Sequence, residues 1–75
     1  MNNYKLYTVS WSQYCSKAES LLNEADVPFE KIVLDKWDLL AAAARDIGIR
    51  RLPALEGKGI FYEGLSEIIK FLEDK

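Results

Sequence analysis

The stretch KLYTVSWSQYCSKAESLLNEADVPFEKIVL, residues 5–34, changes its hydrophobic period twice, and those two changes decide the fold. Its opening, Lys5-Leu6-Tyr7-Thr8-Val9, is aromatic and β-branched with apolar groups on both faces, the pattern of an inner strand. From Tyr14 the spacing turns helical. Ala18, Leu21, Leu22 and Ala25 stand at i, i+3, i+4 and i+7, and Lys17, Glu19 and Glu24 fall on the opposite side. Asp26-Val27-Pro28 ends that helix, because proline lacks the amide to continue it and turns the preceding residue toward extended geometry. Phe29 to Leu34 returns to strand, and the Ile32-Val33-Leu34 run implies burial on both faces. A strand–helix–strand unit of this kind closes as a parallel, right-handed crossover.

Downstream, Asp35 and Asp38 are candidate caps for a second helix, with Leu39, Leu40, Ala43, Ala44 and Ile47 facing inward and Trp37 packed as a staple at its start. Four consecutive alanines favour the helix and let it approach a sheet closely, and Gly48 is placed to end it. Ala54-Leu55-Glu56 and Ile60-Phe61-Tyr62 flank Gly57-Lys58-Gly59, which predicts a β-hairpin with a three-residue turn. Leu65, Ile68, Ile69 and Leu72 mark a last amphipathic helix with Ser66 as its N-cap; Glu63, Glu67, Glu73 and Asp74 form its solvated face. The predicted order is β-α-β-α-β-β-α, a three-layer α/β domain spanning residues 1–75. Its four-stranded mixed sheet has helices on both faces, because the two early strands are apolar on both sides.

Composition narrows what such a domain does. A chain of 75 residues holds one domain, and its hydrophobic fraction of 49% is that of a folded protein. Ten basic against 12 acidic residues produce no cationic field, which disfavours nucleic acid as a partner. A single cysteine forms no internal disulfide, and without histidine the chain has no structural zinc site. The first twenty residues are broken by polar groups, so neither a signal peptide nor a membrane span is expected. A soluble, cytoplasmic monomer is the expectation.

The chemistry concentrates in Thr8-Val9-Ser10-Trp11-Ser12-Gln13-Tyr14-Cys15, between the first strand and the first helix. A thiol at the start of a helix is favoured as thiolate by the free amides and the macrodipole. The position with most to gain is Ser12, whose hydroxyl does not ionise; Cys15 sits one turn further in and points back toward it. Ser12 is also among the best N-cap residues, and a lone Cys15 is more often an inert helix residue than a reactive one.

This string resembles the opening of a glutaredoxin, with Ser12 and Cys15 at the two ends of the C-x-x-C motif. Pro28-Phe29-Glu30-Lys31-Ile32-Val33-Leu34-Asp35 resembles the second strand of that family and its terminal acidic residue. Gly48-Ile49-Arg50-Arg51-Leu52-Pro53-Ala54-Leu55 resembles the segment bearing its cis-proline, and Tyr62-Glu63-Gly64-Leu65 the stretch before the last helix of NrdH-redoxins, the small reductants of ribonucleotide reductase. The resemblance spans residues 4–73 and implies a thioredoxin-like, glutaredoxin-type fold.

What the resemblance implies for the site is uneven. Ser12 occupies the place of the attacking cysteine, and Cys15 that of the resolving thiol. Trp11, Tyr14, Arg51, Leu52, Pro53 and Gly64 would form the substrate groove, with the Leu52 backbone pairing with an extended peptide. The implied activity is dithiol–disulfide exchange with protein disulfides, a ribonucleotide-reductase-like partner among them. The implied reductant is of the thioredoxin-reductase type or glutathione. Here that activity is disarmed by serine; the alternative is a redox-inactive binding module that keeps the groove. No bound cofactor or metal is expected. The residues that glutaredoxins use for glutathione are mostly replaced, by Val9, Arg51 and Glu63-Gly64-Leu65-Ser66.

Overall fold

The structure, a computed structural model, describes residues 3–74; residues 1, 2 and 75 of the expected domain lie outside the described residues. The order of elements is β1 (Tyr4–Thr8), α1 (Gln13–Glu24), β2 (Phe29–Val33), α2 (Trp37–Ala42) continued by a π-turn (Ala43–Ile47), β3 (Ala54–Gly57), β4 (Ile60–Glu63) and α3 (Leu65–Glu73). The strands form one mixed sheet in the order β2-β1-β3-β4. β1 runs parallel to β2 and antiparallel to β3, and β3 pairs antiparallel with β4. This is the predicted β-α-β-α-β-β-α order with its mixed sheet.

Alternation along the central strands sends neighbouring side chains into two cores. Leu6 and its cross-strand partner Leu55 bury completely with Ala18, Leu22 and Ile68, beneath α1 and α3. Burying each such aliphatic side chain stabilises the fold by roughly 1.5–3 kcal/mol. Tyr7 and its partner Ala54 face the other way and pack with Val9, Cys15, Leu34, Ala43 and Ile49. Helices thus cover both faces, as the two-sided apolarity of β1 requires.

Several local expectations are corrected. β2 lies at the sheet edge, so Val33 is exposed and only Leu34, just past the strand, is buried. Its apolar run does not signal two covered faces. The hairpin turn has two residues, not three: Gly57 stays in β3 opposite Ile60, and Lys58 and Gly59 both take positive φ, at 55° and 81°. That pattern matches the twist of the flanking strands. Gly57 is retained there because a Cβ would run into the Tyr4 ring lying across it. The same ring meets Phe71 edge-on, with centroids 5.4 Å apart.

The second helix departs furthest. Its N-cap is Lys36, which makes no side-chain cap bond; Asp35 is engaged elsewhere, and Asp38 lies in the first turn, where it favours the helix dipole. Trp37 is 81% exposed and is no staple. The amide of Gly48 bonds to the Ala43 carbonyl at 2.9 Å, an i→i+5 closure. The extra residue in that turn carries Ile47 off the inward face, so Ala43 is buried and Leu40 half-buried, whereas Leu39, Ala44 and Ile47 are exposed. Gly48 terminates the helix in the left-handed region, φ 87°, as its position predicts. α3 begins at Leu65 with Gly64 as N-cap, two residues earlier than a Ser66 cap allows, and no side chain caps it.

Candidate functional site

β1 ends at Thr8, whose carbonyl accepts the Leu34 amide at 2.8 Å, and Val9 turns into the core. Ser10 then closes the loop against the end of β2. Its amide donates to Asp35 Oδ1 at 2.8 Å and its hydroxyl to Asp35 Oδ2 at 2.6 Å. These two bonds, hydroxyl first, hold the Asp35 carboxyl below its ordinary pKa; Lys31 adds to the effect and partial desolvation opposes it. Asp35 therefore braces the loop carrying the S-x-x-C motif, and the signal available in sequence was only its place at the strand terminus.

Ser12 takes an extended conformation, φ −101° and ψ 125°, and caps α1. Its hydroxyl oxygen accepts from the Cys15 amide at 3.3 Å, while its carbonyl accepts from the Ser16 amide and hydroxyl at 3.3 and 3.4 Å. Cys15 is 1% exposed and packs with Tyr7, Val9, Leu34, Ala43, Ile49 and Ala54. Trp11 and Tyr14, by contrast, project into solvent from the loop and the first turn, 64% and 66% exposed.

Across the sheet, the Leu52–Pro53 peptide bond is cis, Pro53 is fully buried, and Leu52 packs against the cluster that holds Cys15. The Pro53 carbonyl accepts the Gly64 amide at 2.8 Å, which joins the proline loop to the start of α3. Glu63 is the residue the sequence pattern misplaced. It lies at the end of β4, not on a solvated helix face, and one oxygen, Oε1, accepts from the amides of Arg50 at 2.6 Å and Arg51 at 3.2 Å. Nothing in its spacing marks it, because its partners lie twelve and thirteen residues away in sequence. The structure thus gathers Arg51, Leu52, Pro53 and Gly64 into one braced loop whose Leu52 packs on the Cys15 cluster, and leaves Trp11 and Tyr14 outside that core.

Comparison with known proteins decides the family. The profile described as glutathione S-transferase, N-terminal domain, matches residues 6–75. A Bacillus subtilis protein named N-acetyl-S-hydroxy-L-cysteine reductase is 36% identical over 66 residues, covering 80% of this chain and 71% of that one. A Pseudomonas aeruginosa glutaredoxin is 37% identical over 51 residues, covering 67% of this chain and 61% of its own length. The chain belongs to the glutaredoxin-like family of thioredoxin-fold proteins. Solved glutaredoxin-type structures share the fold. The Escherichia coli glutaredoxin-like protein NrdH-redoxin has a TM-score of 0.75 at 21% identity, over 95% of this chain and 91% of that one. A buckwheat glutaredoxin–glutathione complex has a TM-score of 0.78 at 21% identity, over 97% and 70%.

This glutaredoxin-like chain places Ser12, not a thiol, at the mouth of α1, and its one cysteine is buried in the core one turn into that helix. No helix among the described residues is long and apolar enough to cross a membrane.

Proposed function

We propose that this glutaredoxin-like chain keeps the partner-recognition apparatus of a thiol–disulfide oxidoreductase and lacks its attacking sulfur. Reduction of a disulfide by a dithiol redoxin takes two electrons from two thiols, through a mixed disulfide that the second thiol resolves. A chain with one cysteine cannot complete that cycle on its own. The observation that carries the reading is the commitment of the Ser12 hydroxyl to the Cys15 amide, with the Cys15 side chain sealed in the core. Ser12 is then a helix cap at the nucleophile's place, and Cys15 a resolving thiol with nothing to resolve.

The groove supports the recognition half. The Leu52 backbone next to cis-Pro53 offers an edge for an extended peptide, with Arg51 and Gly64 beside it and Trp11 and Tyr14 as exposed aromatic contacts. The partner class is a protein disulfide, with a ribonucleotide-reductase-like protein as one instance. The reductant in a complete cycle is of the thioredoxin-reductase type or glutathione. Val9, Arg51 and Glu63-Gly64-Leu65-Ser66 leave glutathione without the family's usual contacts. The Bacillus relative's name points to reduction of an oxidised small thiol, and burial of Cys15 argues against that step here.

The test is a thiol-transfer assay on this chain beside its Ser12→Cys variant. The variant is expected to reduce disulfides orders of magnitude faster; equal rates would place the nucleophile elsewhere. Partner capture that persists under strong reductant favours the binding-module form of the same reading. Capture that depends on a free Cys15 argues for redox trapping instead.

A further inference from the structure

The two edges of the sheet are guarded differently. β2 carries Glu30 and Lys31, both exposed, and charge on an edge strand discourages a further strand from pairing with it. β4, the other edge, reads Ile60-Phe61-Tyr62-Glu63, with neither proline nor lysine, and its register against β3 runs without a bulge. Ile60 is 55% and Phe61 38% exposed. Among the described residues no strand pairs with the outer side of β4.

The register fixes which backbone groups point outward. Gly57 and Ile60 flank the two-residue turn and exchange bonds with each other, and so does every second pair along the ladder, Leu55 with Tyr62 being the next. The Gly64 amide on the Pro53 carbonyl continues that alternation. The amide and carbonyl of Phe61 therefore face away from β3. Side chains alternate as well. Tyr62 packs against the cluster beneath α1 and α3, so Ile60 stands on that same face and Phe61 on the other. Between Tyr62 and α3 opens a cavity of about 380 Å³, lined also by Glu67, Lys70, Phe71 and Asp74.

These features complement each other under a two-fold rotation. With Phe61 of one copy antiparallel to and opposite Phe61 of a second, the two residues exchange both backbone bonds, and Ile60 of each copy comes directly opposite Tyr62 of the other. The exposed isoleucine then meets the other copy's cavity, and the two phenyl rings meet on the opposite face. The turn end of β4, with Lys58, meets the end that leads into α3, with Glu67. We propose that two copies of this chain pair through β4, antiparallel about an axis at Phe61, and join their sheets into one. The pairing uses neither Ser12, Cys15 nor the groove, and it does not rest on the functional reading. The monomer expected from the sequence is its dilute form.

Sedimentation and amide spectra of the reduced, isotope-labelled chain, followed from low micromolar to millimolar concentration, test it. The mass is expected to move from one chain toward two, with concentration-dependent shifts gathered in β4 and along α3. Ile60→Lys, a change at an exposed side chain, is expected to weaken association roughly tenfold or more. Phe61→Pro removes an outward amide and no bond to β3, and it is expected to weaken association as well. Val33→Lys, on the opposite edge, is expected to leave association unchanged. A single chain at every concentration overturns the proposal, and an edge that pairs only with a different protein gives that result. Shifts centred on β2 overturn it too, as does association that survives either β4 substitution in a variant with an otherwise unchanged spectrum.

Discussion

The Ser12 hydroxyl oxygen lies 3.3 Å from the Cys15 amide nitrogen and accepts its hydrogen bond, so the side chain at the mouth of α1 is engaged in closing the helix end. A cap bond of this type contributes about 1 kcal/mol, and glycine at the same position loses only a few tenths. Stability should therefore fall in the order Ser12, Ser12→Gly, Ser12→Ala, with the alanine variant weaker by about 1 kcal/mol in urea denaturation. An alanine variant as stable as the parent would show that the hydroxyl is free for other work.

Cys15 should react slowly with a thiol reagent in the native protein. Its side chain is 1% exposed and walled in by Val9, Leu34, Ala43 and Ile49, so the reagent must wait for the cluster to open. The labelling rate is expected to rise with urea in step with the opening equilibrium. Rapid stoichiometric labelling without denaturant would contradict the placement of this thiol.

The parts of the fold that were legible in sequence are those whose cause is local. The periods of residues 5–34 report the strand–helix–strand unit because each buried position repeats within its own element, and Gly48 reports a helix end through its own backbone freedom. What stayed illegible depends on distant neighbours. Val33 looks buried until β2 is known to lie at the sheet edge. Gly57 looks like a turn residue until the Tyr4 ring is found lying across it. For the candidate site, Ser12, Cys15 and Pro53 were visible in the motif pattern, whereas the braces Asp35 and Glu63 were not, since each acts on amides or hydroxyls from another segment.

Glu63→Ala should loosen the cis-proline loop without unfolding the chain. One carboxylate oxygen serves the Arg50 and Arg51 amides together, and a hydrogen bond to a charged acceptor is worth about 1.5–3 kcal/mol when sheltered. Both amides lie at an exposed surface, so a net loss below that range, about 1 kcal/mol, is expected. The distinctive readout is hydrogen exchange. Amides 50 and 51 should exchange faster in the variant while those of Leu6 and Leu55 keep their protection; uniform acceleration would mean that Glu63 acts only through global stability.

Gly57→Ala should be costly although it lies beside a surface turn. The added methyl meets the Tyr4 ring, which must rotate away and give up its edge contact with Phe71. Overpacking of this type costs about 1–3 kcal/mol. Replacing Tyr4 by alanine in the same chain should relieve much of that penalty, so the two substitutions together should cost less than their sum. Strict additivity in urea denaturation would show that the ring is not what holds the position to glycine.

Asp35 sets an acid limit on the loop. The Ser10 hydroxyl and amide, in that order, hold its pKa below the unfolded value of about 3.9. A group with a lowered native pKa contributes stability that is complete above the unfolded pKa and is lost as pH falls through the native one. Between pH 7 and about pH 5 the contribution should be constant, and below about pH 4 it should decline. Urea midpoints of the parent and of Asp35→Asn, measured across that range, isolate this carboxylate from the others. The parent is expected to lose more stability than the variant on acidification, and Ser10→Ala should reduce the excess by removing the largest cause of the shift. Parallel curves for parent and Asp35→Asn would mean that the Ser10 bonds do not discriminate between the two protonation states.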